Sequence, residues 1–292
     1  MEDKIGSVLD SASMPPRLTS EESSKPQVAP GQELCRAIHD VLFGGFPRRA
    51  DDAPIDIVGE VNSRLDYCGF APASEERIGK ATSYVREVQA KRQRDAALGA
   101  FRRAVGPRYE DCSLENFVTS HAMQKKVLSV LVAYASVVAS RVQAGAGLIF
   151  FGPSGTGKDH LLVAVAKRAI DADVSVLWRN GRELFGRFRD AMDSDESEGG
   201  LLSPLMEPDV LAISDPLPPS GPLTSYQQDT LYRIVDARYR QRRAVWMTLN
   251  VRDGQEADDR IGVAIVDRLR HGAIAISCNW PTFRKPLSMD AI

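Results

Sequence analysis

The sequence predicts an α/β fold, a five-stranded parallel sheet between helices preceded by a helical N-terminal region. From Asp111 onward short apolar runs alternate with longer amphipathic ones, the rhythm of a sheet covered on both faces. A glycine-rich turn joins one such run to an apolar helix. The chain is 292 residues long with 43% apolar and 26% charged residues, enough for one ordinary domain plus an appendage.

The candidate strands are Gly147–Phe151, Val174–Trp178, Val210–Ile213, Ala244–Leu249 and Ala273–Ser277, with helices expected near 159–170, 182–192, 225–242 and 257–269. In such a doubly wound sheet, ligands gather at the carboxyl ends of the strands. Upstream, residues 1–31 hold Pro15, Pro16, Pro26, Pro30, many serines and no aromatic residue, so a disordered tail is expected. Residues 32–108 read as a helical, partner-docking region. Within it a long helix starts near Ser74, with Glu75 and Glu76 suiting the dipole of its first turn. Ile78, Ala81, Val85 and Val88 form its apolar stripe, and a basic run from Arg86 to Arg108 follows. That run reads equally as a solvated helix face or as a docking or nucleic-acid-contacting element. Residues 109–292 would form the α/β domain.

Net charge is only −2, from 37 basic and 39 acidic side chains, which excludes a protein that coats nucleic acid by bulk charge. The four cysteines and four histidines are scattered without metal-ligand spacing, so neither a zinc site nor a disulfide framework is expected. No apolar leader follows Met1-Glu2-Asp3, and the most apolar helical stretch, Val127–Val142, is interrupted by serines. A cytoplasmic protein with no membrane partner is the expectation.

The most specific motif is Gly152-Pro153-Ser154-Gly155-Thr156-Gly157-Lys158-Asp159-His160, set between an apolar strand and an apolar helix. Glycines there let successive backbone N–H groups converge on phosphate oxygens at a helix N-terminus, and Lys158 adds a full charge. ATP with Mg2+ is the expected cofactor pair. One position departs from the pattern: Asp159 stands where a hydroxyl would touch magnesium. A second motif, Asp209-Val210-Leu211-Ala212-Ile213-Ser214-Asp215, leads an apolar strand into an acid that would activate water, yet Ser214 stands where the metal-side carboxylate belongs. The two departures read as one compensated exchange, with Asp159, Ser214 and Asp215 together serving magnesium. Asn250 ends the strand Ala244–Leu249 and could orient the attacking water, and Arg268 closes a later helix from which it could reach a neighbouring subunit's γ-phosphate. Asn250 also reads as a turn former, and Arg268 as a surface ion-pair partner. Arg179, Arg182, Arg187 and Arg189 interleave with Phe185 and Phe188, a pattern suited to single-stranded DNA if the rings are exposed and to core packing if they are not.

Taken together, these segments resemble the DnaC/IstB-like branch of AAA+ ATPases, which comprises bacterial and phage helicase loaders and the ATP-binding subunits of certain transposition systems. The carriers are Arg108-Tyr109-Glu110-Asp111-Cys112-Ser113-Leu114-Glu115-Asn116-Phe117, the G-P-S-G-T-G-K-D-H-L-L loop, Ala237-Arg238-Tyr239, Thr248-Leu249-Asn250, Val266-Asp267-Arg268-Leu269 and Asn279-Trp280-Pro281-Thr282-Phe283-Arg284. The resemblance implies an AAA+ P-loop core without a C-terminal helical lid. It also implies Lys158 as the Walker A lysine, Asp215 as the second Walker B acid, Asn250 as sensor 1 and Arg268 as an arginine finger. It implies a replicative DNA helicase as partner, single-stranded DNA as ligand and an ATP-dependent homo-oligomer. A transposase helper that prefers duplex DNA, and a nucleotide-dependent scaffold with weak hydrolysis, are the alternatives.

Overall fold

The computed structural model describes residues 27–44, 55–192 and 198–284. Packing divides the chain into two compact units, Met1–Gln93 and Arg94–Ile292. Much of the expected tail, the acidic stretch Asp193–Ser197 and the residues after Arg284 lie outside the described residues.

In the first unit, β1 (Gln27–Val28) pairs in parallel with β2 (Phe70–Ala71), so the described end of the stretch expected to be a tail carries a short strand. Helix α1 (Gly31–Phe43) buries Leu34, Cys35, Ala37 and Ile38. Helix α2 (Ile57–Tyr67) starts at Asp56, whose carboxylate accepts the Gly59 N–H at 3.0 Å, and buries Val61 and Leu65. The two helices and the start of α3 (Glu75–Val105) close a small core with Ile78 and Val85. Asn62 fixes the turn into α3, accepting the Ala73 N–H at 2.7 Å. The stripe predicted from Ile78 and Val85 is therefore a core face.

The second unit holds the sheet. Its strands are β3 (Leu148–Phe151), β4 (Val176–Asn180), β5 (Val210–Ser214), β6 (Ala244–Leu249) and β7 (Ile274–Ser277), all parallel in the order β4-β5-β6-β3-β7. Each falls within two residues of its expected place. Nearly all of β5 and β6 is buried because helices cover both faces, which is why these strands read as unbroken apolar runs. One face packs on α4 (Ala122–Ala135), α5 (Val138–Gln143) and α6 (Lys158–Asp171), through Leu131, Leu162 and Val165. The other packs on α7 (Gly181–Met192), α8 (Glu198–Met206) and α9 (Ser225–Arg240), through Leu184, Phe188 and Leu231.

The helix expected over 257–269 is two helices, α10 (Gly254–Ile261) and α11 (Val263–Arg270). Gly262 separates them with φ 109° and ψ 134°, a conformation that only glycine adopts without strain. Arg238 is wholly buried under the sheet and donates to the carbonyls of Leu205, Pro208, Asp209 and Ala244 at 2.6–3.0 Å. It ties α9 to the chain entering β5 and β6. Burial pushes its pKa down to about 10.

Candidate nucleotide site

Parallel register aligns Asn180 of β4, Ser214 of β5 and Thr248 of β6 across the carboxyl ends of adjacent strands. The turn after β3 crosses this edge. Gly152, Gly155 and Gly157 have φ of 141°, 80° and 85°, so the turn bends through conformations that side chains resist. A Cβ on Gly152 would lie 2.6 Å from the Cys278 carbonyl oxygen, and one on Gly157 would lie 2.9 Å from the Phe117 ring. The glycines thus form a tight turn, with Lys158 beginning helix α6 behind it.

Lys158 is buried, and its ammonium donates to the carbonyls of Gly152 at 2.9 Å and Pro153 at 2.7 Å. Desolvation lowers its pKa, and the positive charge of Arg284 adds to that lowering. Cys278, Asp159 and Asp215 act in the opposite direction. Thr156 closes the turn by donating to the Pro153 carbonyl at 3.0 Å.

Behind the loop, one oxygen of Asp159 accepts two hydroxyls, from Ser214 at 2.9 Å and from Thr248 at 2.8 Å. The first contact joins the two residues read as exchanged. The second was missed, because Thr248 stands 89 positions away and only the sheet register brings it in. Asp215 follows β5 with φ 44°, in the left-handed region that aspartate tolerates better than most side chains. The Thr248 hydroxyl accepts its N–H at 3.1 Å. Burial raises the Asp215 pKa, repulsion from Asp159 adds to this, and Arg182, Lys158 and the Asn250 side chain as a donor oppose it. One Asp215 oxygen, Oδ1, is buried with no hydrogen-bond partner among the described residues. A carboxylate oxygen kept unpartnered there, beside a second carboxylate, is a donor set that fits a hard divalent cation. Among the described residues no three His, Cys, Asp or Glu side chains form a closed metal cluster, so magnesium would draw its remaining ligands from phosphate and water, as it usually does.

Two segments wrap the loop. Phe283 N donates to the Gly155 carbonyl at 2.9 Å, and the Trp280 indole N–H donates to the Thr156 carbonyl at 2.8 Å. On the other side, the His160 ring nitrogen Nε2 meets the Ser113 carbonyl at 2.9 Å, while Lys167 donates to the carbonyls of Glu110 and Cys112. The His160 ring thus faces Ser113 and Phe117, so it is the backbone of His160 that remains to serve the loop.

The fold brings Lys158, Asp159, Ser214, Asp215 and Asn250 together. Arg268 lies elsewhere in the same chain: its guanidinium pairs with Asp236 at 2.9 Å and donates to the Tyr232 hydroxyl at 3.0 Å. Of the arginines expected to meet DNA, Arg182, Arg187 and Arg189 are exposed on α7. Arg179 is half-buried and donates to the Trp178 carbonyl at 2.9 Å. Phe185 and Phe188 are core residues, 4% and 2% exposed, so the aromatic half of that pattern belongs to packing.

No helix among the described residues is long and apolar enough to cross a membrane. The replicative helicase loader DnaC of Buchnera aphidicola (subsp. Schizaphis graminum) is 30% identical over 187 residues, covering 62% of this chain and 73% of that protein. The Escherichia coli helicase loader DnaC is 28% identical over 187 residues, covering 63% and 73% respectively. An insertion sequence ATP-binding protein of Sinorhizobium fredii is 29% identical over 153 residues, 50% of this chain and 49% of that one. In fold, a crystal structure of the DnaC helicase loader superposes with a TM-score of 0.52 at 20% identity, covering 59% of this chain and 99% of the other. The sequence profile of the IstB-like ATP binding proteins matches residues 84–291, and with the glycine-rich loop and sheet described above this chain belongs to that family, the DnaC/IstB-like AAA+ ATPases.

Proposed function

We propose that this protein is an ATP-dependent loader of a replicative DNA helicase, binding single-stranded DNA and hydrolysing ATP between copies of itself. The observation that carries the nucleotide half is the pair of hydroxyl donors from Ser214 and Thr248 onto Asp159. That contact keeps a carboxylate and a hydroxyl at the two positions where the pattern wants a hydroxyl and a carboxylate, so the site's charge is conserved. The loader half is supported by the helicase loaders among its relatives.

In this reading the backbone of Gly152–His160 cradles the phosphates, and Lys158 trades its carbonyl partners for phosphate oxygens. Magnesium, when bound, neutralises charge on those oxygens, and Asp159, Ser214 and Asp215 would hold it. Asp215 would take the proton of the attacking water, which the Asn250 amide would orient. Arg268 would act on the nucleotide of a neighbouring copy, since its own chain's loop is not within its reach. Arg182, Arg187 and Arg189, with Arg179 behind them, would track a DNA backbone by charge alone. Residues 32–108 would dock the helicase.

The full-length protein immobilised with ATP and magnesium should retain a hexameric replicative helicase from a lysate of its host, and a Lys158→Ala variant should retain less. A second reading, ATPase partner of a transposase, is favoured by the Sinorhizobium fredii relative. Retention of a transposase together with preference for duplex over single-stranded DNA would establish that reading and remove the first.

A further inference from the structure

Thr248 lies one residue from the end of β6, 1% exposed, and binds both acidic residues of the site. Its hydroxyl donates to Asp159 Oδ1 at 2.8 Å and accepts the Asp215 N–H at 3.1 Å. A hydroxyl has one proton and an N–H can only donate, so the direction of both bonds is settled. The Asp215 N–H, the Thr248 hydroxyl and the Asp159 carboxylate then form a single chain in which each bond polarises the next. It joins three elements that lie far apart in sequence: Asp159 in the first turn of α6, Asp215 after β5, and Thr248 in β6.

Neither partner needs this hydroxyl to be satisfied. The Asp215 N–H also reaches the Thr248 carbonyl oxygen at 3.2 Å, and Asp159 Oδ1 also accepts the Ser214 hydroxyl at 2.9 Å. What the hydroxyl alone supplies is the tie between them. The chain around Asp215 leaves that tie little slack, because Gly181 passes so close that a Cβ on it would meet the Pro216 Cα. Two positions beyond Thr248, the Asn250 side chain donates to the Asp215 carboxylate, so the end of β6 holds this residue by its N–H and by its side chain. A β-branched residue suits such a duty, since few rotamers are open to it.

We propose that Thr248 is a positioning residue of the nucleotide site: its hydroxyl sets Asp159 and Asp215 relative to one another, so that the two carboxylates meet magnesium as a pair already in place. The inference rests on the nucleotide reading of the Lys158 loop. It goes beyond the exchange of Asp159 with Ser214, because that exchange conserves charge, whereas Thr248 adds no charge and sets direction. Removing a group that orients metal ligands commonly lowers metal affinity about 10–100-fold. Among the described residues the Thr248 hydroxyl has no hydrogen bond to Lys158 or to the glycine turn, so the loss should fall on the metal-dependent part of binding.

The test compares Thr248→Val, which keeps the branched shape and removes the hydroxyl, with Thr248→Ser, which keeps the hydroxyl. ATP is titrated calorimetrically into the full-length protein, once with magnesium and once with EDTA, and the ratio of the two affinities is read. Wild type should bind more tightly with magnesium. In Thr248→Val that gain should shrink about 10-fold or more, with the affinity in EDTA unchanged. Its melting temperature should fall by no more than about 6 °C, the worth of one redundant hydrogen bond. Thr248→Ser should recover most of the gain. A gain in Thr248→Val equal to that of wild type overturns the proposal. An equal loss in magnesium and in EDTA, or a larger drop in melting temperature, also overturns it, by making the hydroxyl a structural tie only. So does a loss that Thr248→Ser leaves uncorrected, or a wild type that binds ATP equally with and without magnesium. If wild type gives no heat with ATP in either condition, the nucleotide reading itself is refuted, a result distinct from a wild-type gain that Thr248→Val leaves intact.

Discussion

The two ends of one parallel sheet handle charge in opposite ways. At the carboxyl ends, buried Lys158 donates to two loop carbonyls, Asp159 accepts hydroxyls from Ser214 and Thr248, and one Asp215 oxygen has no hydrogen-bond partner among the described residues. At the amino ends, arginines predominate: Arg238 is consumed by four carbonyls, Arg268 by Asp236, and Arg242 by nothing described. The first end is organised around groups to be completed by a ligand, the second partly around groups that complete the fold. Residue type alone does not separate the two uses. What separates them is which groups each side chain meets: Arg238 is held by four backbone carbonyls, whereas Asp215 Oδ1 faces another carboxylate's charge without a donor.

The sharpest way to break this contrast is to reverse the exchange at the carboxyl end. Asp159→Ser alone and Ser214→Asp alone should each lower ATP turnover about 10–100-fold, because each upsets the charge of the pair. The double variant should turn over faster than either single one in steady-state assays. Losses that simply add would mean that Asp159 and Ser214 are not one unit.

At the amino end, Arg238→Met should unfold readily, since it removes a donor from four carbonyls, two of them in fully buried contacts. About 3 kcal/mol or more is expected from stranding such a network, a fall of roughly 6–12 °C in melting temperature for a unit of this size. A loss under about 1 kcal/mol would show that the network is solvated or replaced. Arg268→Met, whose partner Asp236 is half-buried and keeps Arg240 as a second partner, should cost far less, and the difference measures how much more structural the buried arginine is.

A smaller effect of opposite sign is expected at Asp215. Its pKa is raised in the fold, so between the usual carboxylate value and that raised value the folded chain binds more proton than the unfolded one. Stability therefore falls as pH rises through that window, and the cost persists at neutral pH. Asp215→Asn should melt about 1–3 °C higher at pH 7 and show a flatter pH dependence while losing turnover. A lower melting temperature would indicate that the carboxylate is a structural acceptor.

The sequence made the carboxyl end legible because its chemistry is contiguous. Strand, turn and helix follow one another from Leu148 to Asp171, and glycine periodicity with apolar flanks specifies them without reference to distant chain. The Ser214 and Asp159 departures were visible for the same reason, as breaks in two local patterns. Thr248 was not assigned, because only the pairing of β5 with β6 makes it a neighbour of Asp159. The break at Gly262 was overlooked because the apolar spacing of Ala257, Ile261, Ile265 and Leu269 continues across it, and periodicity does not register one residue of non-helical φ. Arg238 and Arg268 look alike in sequence, each a basic residue near a helix end. Their different partners emerge only when α9 and α11 pack.

The central claim is that the turn at Lys158 grips a nucleotide's phosphates. Titrating ATP with magnesium into the full-length protein in a calorimeter tests it most directly. A saturable heat with about one site per chain, lost in Lys158→Ala while the melting temperature is kept, is the predicted result. An unchanged heat in Lys158→Ala, or none in the wild type, would contradict it.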